Sequence, residues 1–400
     1  MANYQSTLIL FLLDKKGVPR FGAERYLCGL VETPQAAGSF SPATVTHDNR
    51  DNRSNIISLL RDFSVGDISN VDTLRGIGEA VWEDLGLAMI FNRVVENQSN
   101  ITFLTNDPVI PWEWASPFGG SESICELLPC GNVFFEQISQ LANETRGGRA
   151  SSTPEEQIAQ TKAILLFDEG GHHSLPKLQG VEEEITSVKD SLLRSGVKGT
   201  NIECVNGHDK HAEATFLRHV RRMRSDLGII HYAGHILNGD IQLKRSAIER
   251  AEIRNNFGNK RSRLPGTLVF INGCESGAVS EVWEKEKNLS TAWLDAGALA
   301  MIGCRLPVLD SKARIFASKF YDHLLSRKYL YESIGSILQD TRRALARSSG
   351  TDASWLQYTL FGHSYLYFFE PKVSQAEVTA TLLGATPPDK LRNILEQDQR

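Results

Sequence analysis

Two short apolar runs, each stopping abruptly at glycine and polar residues, constrain this chain more than anything else in it. Ile229 and Ile230 lead into His231-Tyr-Ala-Gly-His235, and Leu268-Val-Phe-Ile271 leads into Asn272-Gly-Cys274-Glu-Ser-Gly277. Runs of this kind read as buried strands. If the two strands are parallel neighbours, His235 and Cys274 stand together at their carboxyl ends, the rim on which open α/β sheets carry their chemistry.

A thiol beside an imidazole is the minimal set for nucleophilic acyl transfer. Cysteine attacks as the thiolate, which is scarce at neutral pH without a base or positive charge nearby. His235 can be that base and can later protonate the leaving group. Gly273 and Gly277 allow a sharp turn that presents the sulfur, and a helix starting after Ser276 would aim backbone N–H groups at a developing oxyanion. Either residue alone reads as structure: a small buried hydrophobe, or a hydrogen-bonded histidine. The paired setting favours catalysis. His231 and His235 are four apart, as zinc-binding histidines on a helix can be. Gly234 lies inside that spacing and the preceding residues look extended, so no metal site and no cofactor is read here.

The alternation around these motifs predicts a mostly parallel sheet with helices on both faces. After a small, polar stretch at 145–154 come a strand at 163–167, a helix at 181–193, a strand at 202–205 and a helix at 212–224. Beyond the second motif follow a helix near 290–294, a strand at 298–302, helices at 311–326 and 333–346, and a last strand at 365–369. Upstream, residues 1–65 look β-rich, with apolar runs at 8–13 and 27–31, a turn near Gly17-Val-Pro19 and a polar loop at 46–54. Spacing predicts a helix over 71–89, and 101–104 reads as a strand. Gly76-Ile-Gly78 lacks the strand and third glycine of a dinucleotide site. The stretch 236–273, with Arg254, Lys260, Arg261 and Arg263, reads as a long polar loop. So does the charged segment 281–287; each is either a recognition or regulatory element or plain surface.

Four hundred residues suffice for a large core, and a net charge of −5 gives no reason to expect nucleic acid as a partner. Arg218, Arg221, Arg222 and Arg224 fall on a helix face that reads as solvated. The six cysteines at 28, 125, 130, 204, 274 and 304 show no framework spacing, which suggests reduced thiols. Leu8–Leu13 is too short for a signal sequence or membrane span. The expected location is the cytoplasm.

The two motifs resemble the CHAT family, which belongs with caspases and separases among caspase-fold cysteine peptidases. Asn106-Asp-Pro-Val-Ile-Pro-Trp-Glu-Trp114 resembles that family's IPWE segment. Ala296-Gly-Ala-Leu-Ala-Met-Ile-Gly303 resembles its strand after the catalytic cysteine, which an aspartate follows, here Asp310. Ala317-Ser-Lys-Phe-Tyr-Asp-His323 and Phe361-Gly-His363 resemble the next helix and the closing strand. The likeness spans roughly residues 70–370.

It implies a caspase-like α/β fold with a β-rich N-terminal region at 1–65, a non-catalytic part at 66–150, a catalytic part at 155–370 and a tail at 371–400. It also implies a cysteine endopeptidase with a His235–Cys274 dyad and oxyanion N–H groups from Cys274 and Ile236. Family members carry glycine where this chain has Ile236. A β-branched residue disfavours positive φ, which opens the alternative of an inactive caspase-fold scaffold or switch. A thiol acyltransferase would use the same dyad but needs an acyl-donor pocket for which no motif appears. Asp310 reads either as the acid of a pocket for a basic substrate side chain, as in separase-like peptidases, or as the N-cap of the helix at 311–326. The resemblance further implies a protein substrate and a bacterial defence or cell-death setting. With no sensor motif legible here, the activating partner is expected to be a separate protein. No calcium-loop motif is present.

Overall fold

A computed structural model describes residues 5–13, 25–33, 44–45, 50–63, 70–96, 100–134 except 108, 118 and 121, 154–259 except 173, 263–273, 288–348 except 331, and 352–369. The N-terminal elements are β1 (Gln5–Leu13), β2 (Arg25–Thr33), β3 (Thr44–Val45), α1 (Arg50–Phe63), α2 (Val71–Glu83), α3 (Ala88–Glu96), β4 (Asn100–Thr105), α4 (Ile124–Leu127) and β5 (Cys130–Phe134). Then come α5 (Pro154–Gln160), β6 (Lys162–Phe167), α6 (Val181–Ser195), β7 (Ile202–Asn206), α7 (Ala212–Met223) and β8 (Leu227–Ala233). Next are β9 (Ile236–Leu237), β10 (Asp240–Gln242), β11 (Ala247–Ile248), α8 (Arg250–Phe257) and β12 (Leu268–Asn272). The last are α9 (Leu289–Asp295), β13 (Ala300–Cys304), α10 (Asp310–Leu324), α11 (Ile334–Ala346) and β14 (Tyr358–Phe361).

An 11-stranded sheet runs in the order β3-β2-β1-β4-β5-β14-β13-β12-β8-β6-β7. Neighbours are parallel except at β3/β2, β2/β1 and β14/β13. The antiparallel β14/β13 pair is a seam: β13, β12, β8, β6 and β7 all run one way, and β1, β4, β5 and β14 run the other. The mostly parallel caspase-like sheet is therefore as the sequence leads one to expect.

Alternation along the central strands builds two cores, because successive side chains leave a strand on opposite faces. Ile229 and Ala233 of β8 and Leu268 and Phe270 of β12 join α6 and α10 on one face. Ile230 and Tyr232 of β8 and Val269 and Ile271 of β12 join α7, α8 and α9 on the other. Covered on both sides, β8 and β12 are buried along their whole length, which is why they read as unbroken apolar runs.

Four expectations need correction. The helix over 71–89 is two helices: Gly86 takes φ +69, which a glycine tolerates and a helix does not, and its N–H bonds Glu83 O at 2.9 Å. Residues 50–54 of the polar loop are helical, the first turns of α1, whose Ile56 and Ile57 are buried while Arg53 grips Asp107 at 2.7 and 2.9 Å. The last strand among the described residues is β14, and 365–369 is not a strand. Gly362, at φ +142, turns the chain away, and Gly335 N–H then bonds Ser364 O.

The polar stretch 236–259 is folded, into the separate sheet β11-β10-β9 and α8. Arg254 bonds Asp295 at 3.2 Å and Thr291 at 2.9 Å, tying α8 to α9. The turn at 17–19, the stretch 145–153, Lys260, Arg261, segment 281–287 and the tail from 371 lie outside the described residues. No described helix is long and apolar enough to cross a membrane.

Candidate active site

Strand β8 ends against a glycine that the site requires. Gly234 has φ +154, and a Cβ there would stand 2.4 Å from Tyr232 Oη and 2.8 Å from Asp168 O. The chain thereby turns tightly and sets His235 on the rim. Tyr232 hydroxyl lies 2.9 Å from both His235 O and Gln242 O, fixing the backbone on either side of the turn. Burial, with the Asp168 charge adding to it, pushes the Tyr232 phenol well up, so it stays a donor.

His235 Nε2 is 2.8 Å from Pro176 O. A carbonyl only accepts, so Nε2 carries the proton, and the neutral ring keeps its lone pair at Nδ1. The ring lies over Gly170, where a Cβ would meet Nε2 at 2.7 Å and where φ is +74. Gly170 bridges Lys177 across the loop that follows β6, so one small hairpin both orients the imidazole and makes room for it.

Strands β8 and β12 pair with Asn272 opposite Ala233, and Gly234 N–H bonds Asn272 O at 3.1 Å. Gly273 comes so close that a Cβ would be 2.7 Å from Gly234 O and 2.7 Å from Ile236 Cγ1. Cys274, the next residue, lies outside the described residues. Ile236 sits on β9, half-buried and paired with Ile241. Among described residues other than glycine, only Ser174 and Asn238 have positive φ. The strain expected of a β-branched residue at 236 therefore does not arise; Gly234 and Asn238 take the turn instead.

Beneath the rim lies a buried polar network. Glu184, on α6, accepts from His231 Nε2 at 2.9 Å and from Asn272 Nδ2 at 2.8 Å. Asn272 Oδ1 accepts from Tyr358 hydroxyl at 2.7 Å, and His231 Nδ1 lies 3.3 Å from Tyr321 Oη. His231 thus faces the core while His235 faces Pro176, and the two do not share partners. The network ties the ends of β8, β12 and β14 to α6 and α10. Glu184 was legible as an oddity: it sits on the stripe of Val181, Ile185, Val188 and Leu192, where a charge has no business without a buried partner. Pro176 and Tyr232 gave no such signal.

Asp310 is the first residue of α10, whose N-cap is Leu309, so it does not cap its own helix. Its Oδ2 instead accepts Gly180 N–H at 2.5 Å, at the start of α6. The half-buried carboxylate lines a narrow cleft with Leu178, Gly234, Asn272, Gly273 and Val308.

Comparison with known proteins fits this arrangement. The model of peptidase family C25 matches residues 149–366, more than half of the chain. No curated protein sequence matches it. The Arg-specific cysteine proteinase gingipain R of Porphyromonas gingivalis superposes with a TM-score of 0.50, over 80% of this chain and 76% of that one at 10% identity. Saccharomyces cerevisiae separase, solved in complex with securin, superposes with a TM-score of 0.54 at 10% identity. That match takes in 90% of this chain but only 30% of the separase chain. At such identities the likeness is one of fold. With the family model spanning most of the second half and the caspase-like sheet beneath it, the chain belongs to peptidase family C25, a family of cysteine peptidases.

Proposed function

We propose that the chain is a cysteine endopeptidase of the CHAT-like branch, working through His235 and Cys274. The observation that supports it most is the hydrogen bond from His235 Nε2 to Pro176 O, which leaves Nδ1 as a base beside the strand end that carries Gly273. In this reading Nδ1 takes the Cys274 proton and the thiolate attacks the peptide carbonyl carbon. Backbone N–H groups of Cys274 and Ile236 hold the oxyanion. The intermediate collapses to a thioester as the imidazolium returns its proton to the departing amine. Water, deprotonated by the same nitrogen, then releases the acid.

Asp310 would select a basic side chain before the scissile bond. Its carboxylate already lines the cleft beside Gly234 and Gly273, where partial burial strengthens a charged pair. The chain is proposed to act in the cytoplasm of a bacterial defence or cell-death system, switched on by a separate sensor protein and weakly active alone. Residues 155–370 would form the catalytic part and 66–150 its non-catalytic companion.

Thiol labelling separates this reading from an inactive scaffold. Cys28, Cys125, Cys130 and Cys304 are buried. Burial holds the thiols of Cys28 and Cys130 far up and that of Cys125 at about 11. Only the exposed Cys204, itself raised, competes for reagent. Iodoacetamide is expected to modify Cys274 far ahead of Cys204, and His235→Ala to remove that lead. Slow labelling at similar rates, unaffected by His235→Ala, would favour the scaffold.

A further inference from the structure

Next to the proposed dyad lies a second cluster that the peptidase reaction does not use. Asp168 follows β6 and is 1% exposed. Its Oδ1 is 2.7 Å from His172 Nε2 and 3.6 Å from His208 Nε2. His172 comes from the loop after β6 and His208 from the loop after β7. These loops meet because the strands are parallel neighbours, in register as far as Phe167 and Asn206. One ligand-type atom from each residue lies within 4.8 Å of the others.

The carboxylate is held in place. Gly170 N–H bonds Oδ1 at 2.8 Å and Lys244 N–H bonds Oδ2 at 2.9 Å. Gly207 leaves room for it, since a Cβ there would be 2.4 Å from Oδ2. The hydrogen-bond partners of this buried acid are thus two backbone N–H groups and an imidazole, none with a fixed charge. An imidazole facing that carboxylate can hold a proton or a metal ion in the same place. His208 Nε2, aimed at the same oxygen, is buried without a hydrogen bond.

We propose that Asp168, His172 and His208 bind one divalent transition-metal ion of the zinc class. Two imidazole nitrogens and one carboxylate oxygen are a zinc ligand set, whereas calcium and magnesium prefer oxygen alone. Donors about 2.1 Å from a tetrahedral ion sit about 3.4 Å apart, so the observed spacings need only small side-chain rotations. Binding moves each ring proton to Nδ1, so that the Nε2 lone pairs meet the ion, and leaves a fourth position for water. The ion ties together the loops after β6 and β7. The first of these also carries Pro176, the partner of His235. An effect of the ion on catalysis rests on the proposed dyad; its binding does not.

The test uses the full chain carrying Cys274→Ala and His235→Ala, so that no zinc can be held by the dyad. After chelator treatment, Zn2+ is titrated against a chromophoric competitor and the melting temperature is followed. One Zn2+ per chain is expected, with a Tm rise of several degrees. Adding His172→Ala or His208→Ala should weaken binding at least tenfold and abolish the rise, and His208→Ala, whose Nε2 makes no hydrogen bond, should leave the metal-free Tm nearly unchanged. Cobalt should give the visible spectrum of a nitrogen–oxygen site. Absence of stoichiometric binding, or binding that survives both histidine substitutions, would overturn the proposal.

Discussion

Glu113 and Asp168 are both buried acids, one at the seam of the sheet and one at the rim of the proposed dyad, and their partners differ in chemistry. Glu113 lies in the IPWE-like turn and grips Arg305, which follows β13, at 2.7 Å; it also accepts from Thr359 of β14 and Asn132 of β5. A guanidinium stays charged at every relevant pH, so this pair welds the two oppositely running blocks. Asp168, like Glu184 beside His231, is instead met by imidazoles and amides. An imidazole can exchange a proton or accept a metal, which suits the rim of the proposed dyad and would be useless in a weld.

The contrast is sharpest in charge-removing substitutions of the same shape. Glu113→Gln strands Arg305 in the core and should cost about 3–5 kcal/mol in urea unfolding. Burial pushes the Glu113 carboxyl up, but the Arg305 guanidinium, with hydrogen bonds from Arg305 and Thr359, more than reverses this and holds it below the usual carboxylate range. Its folded value is therefore below its unfolded one. The stability it contributes is complete above the ordinary carboxylate range and is lost as pH falls through the folded value. Glu113→Gln should accordingly flatten the acid arm of a stability-versus-pH curve.

Asp168→Asn strands no permanent cation and should cost less, about 1–3 kcal/mol. An equal loss for the two variants would break the comparison. Asp310→Asn should lower kcat/KM for substrates with Arg or Lys before the scissile bond by roughly tenfold, about 1.4 kcal/mol, while Cys274 still reacts with a small thiol reagent. Unchanged preference with only a lower Tm would reduce Asp310 to its bond with Gly180.

Much of the fold was legible because its signals are local. The apolar runs of β8 and β12, and the helical period of α6, α10 and α11, show in any short window. What escaped depends on distant partners or single backbone angles. The break between α2 and α3 rests on Gly86, and β14 stops at Gly362. The first turns of α1 are polar, and Arg53 there pairs with Asp107, more than fifty positions away. At the site, His235 was readable from its motif, but its partner is a backbone carbonyl, which no side-chain pattern reveals. Asp168, His172 and His208 come from two separate loops, so their convergence shows only in the sheet order.

The proposed peptidase activity is tested most directly by mapping new amino termini by mass spectrometry after co-expressing the chain with its chromosomal neighbours. Wild type and Cys274→Ala would be compared. New termini that follow basic residues in one or a few proteins, present with wild type and missing with Cys274→Ala, are the result expected. The same termini with Cys274→Ala at wild-type abundance would contradict the assignment of the nucleophile.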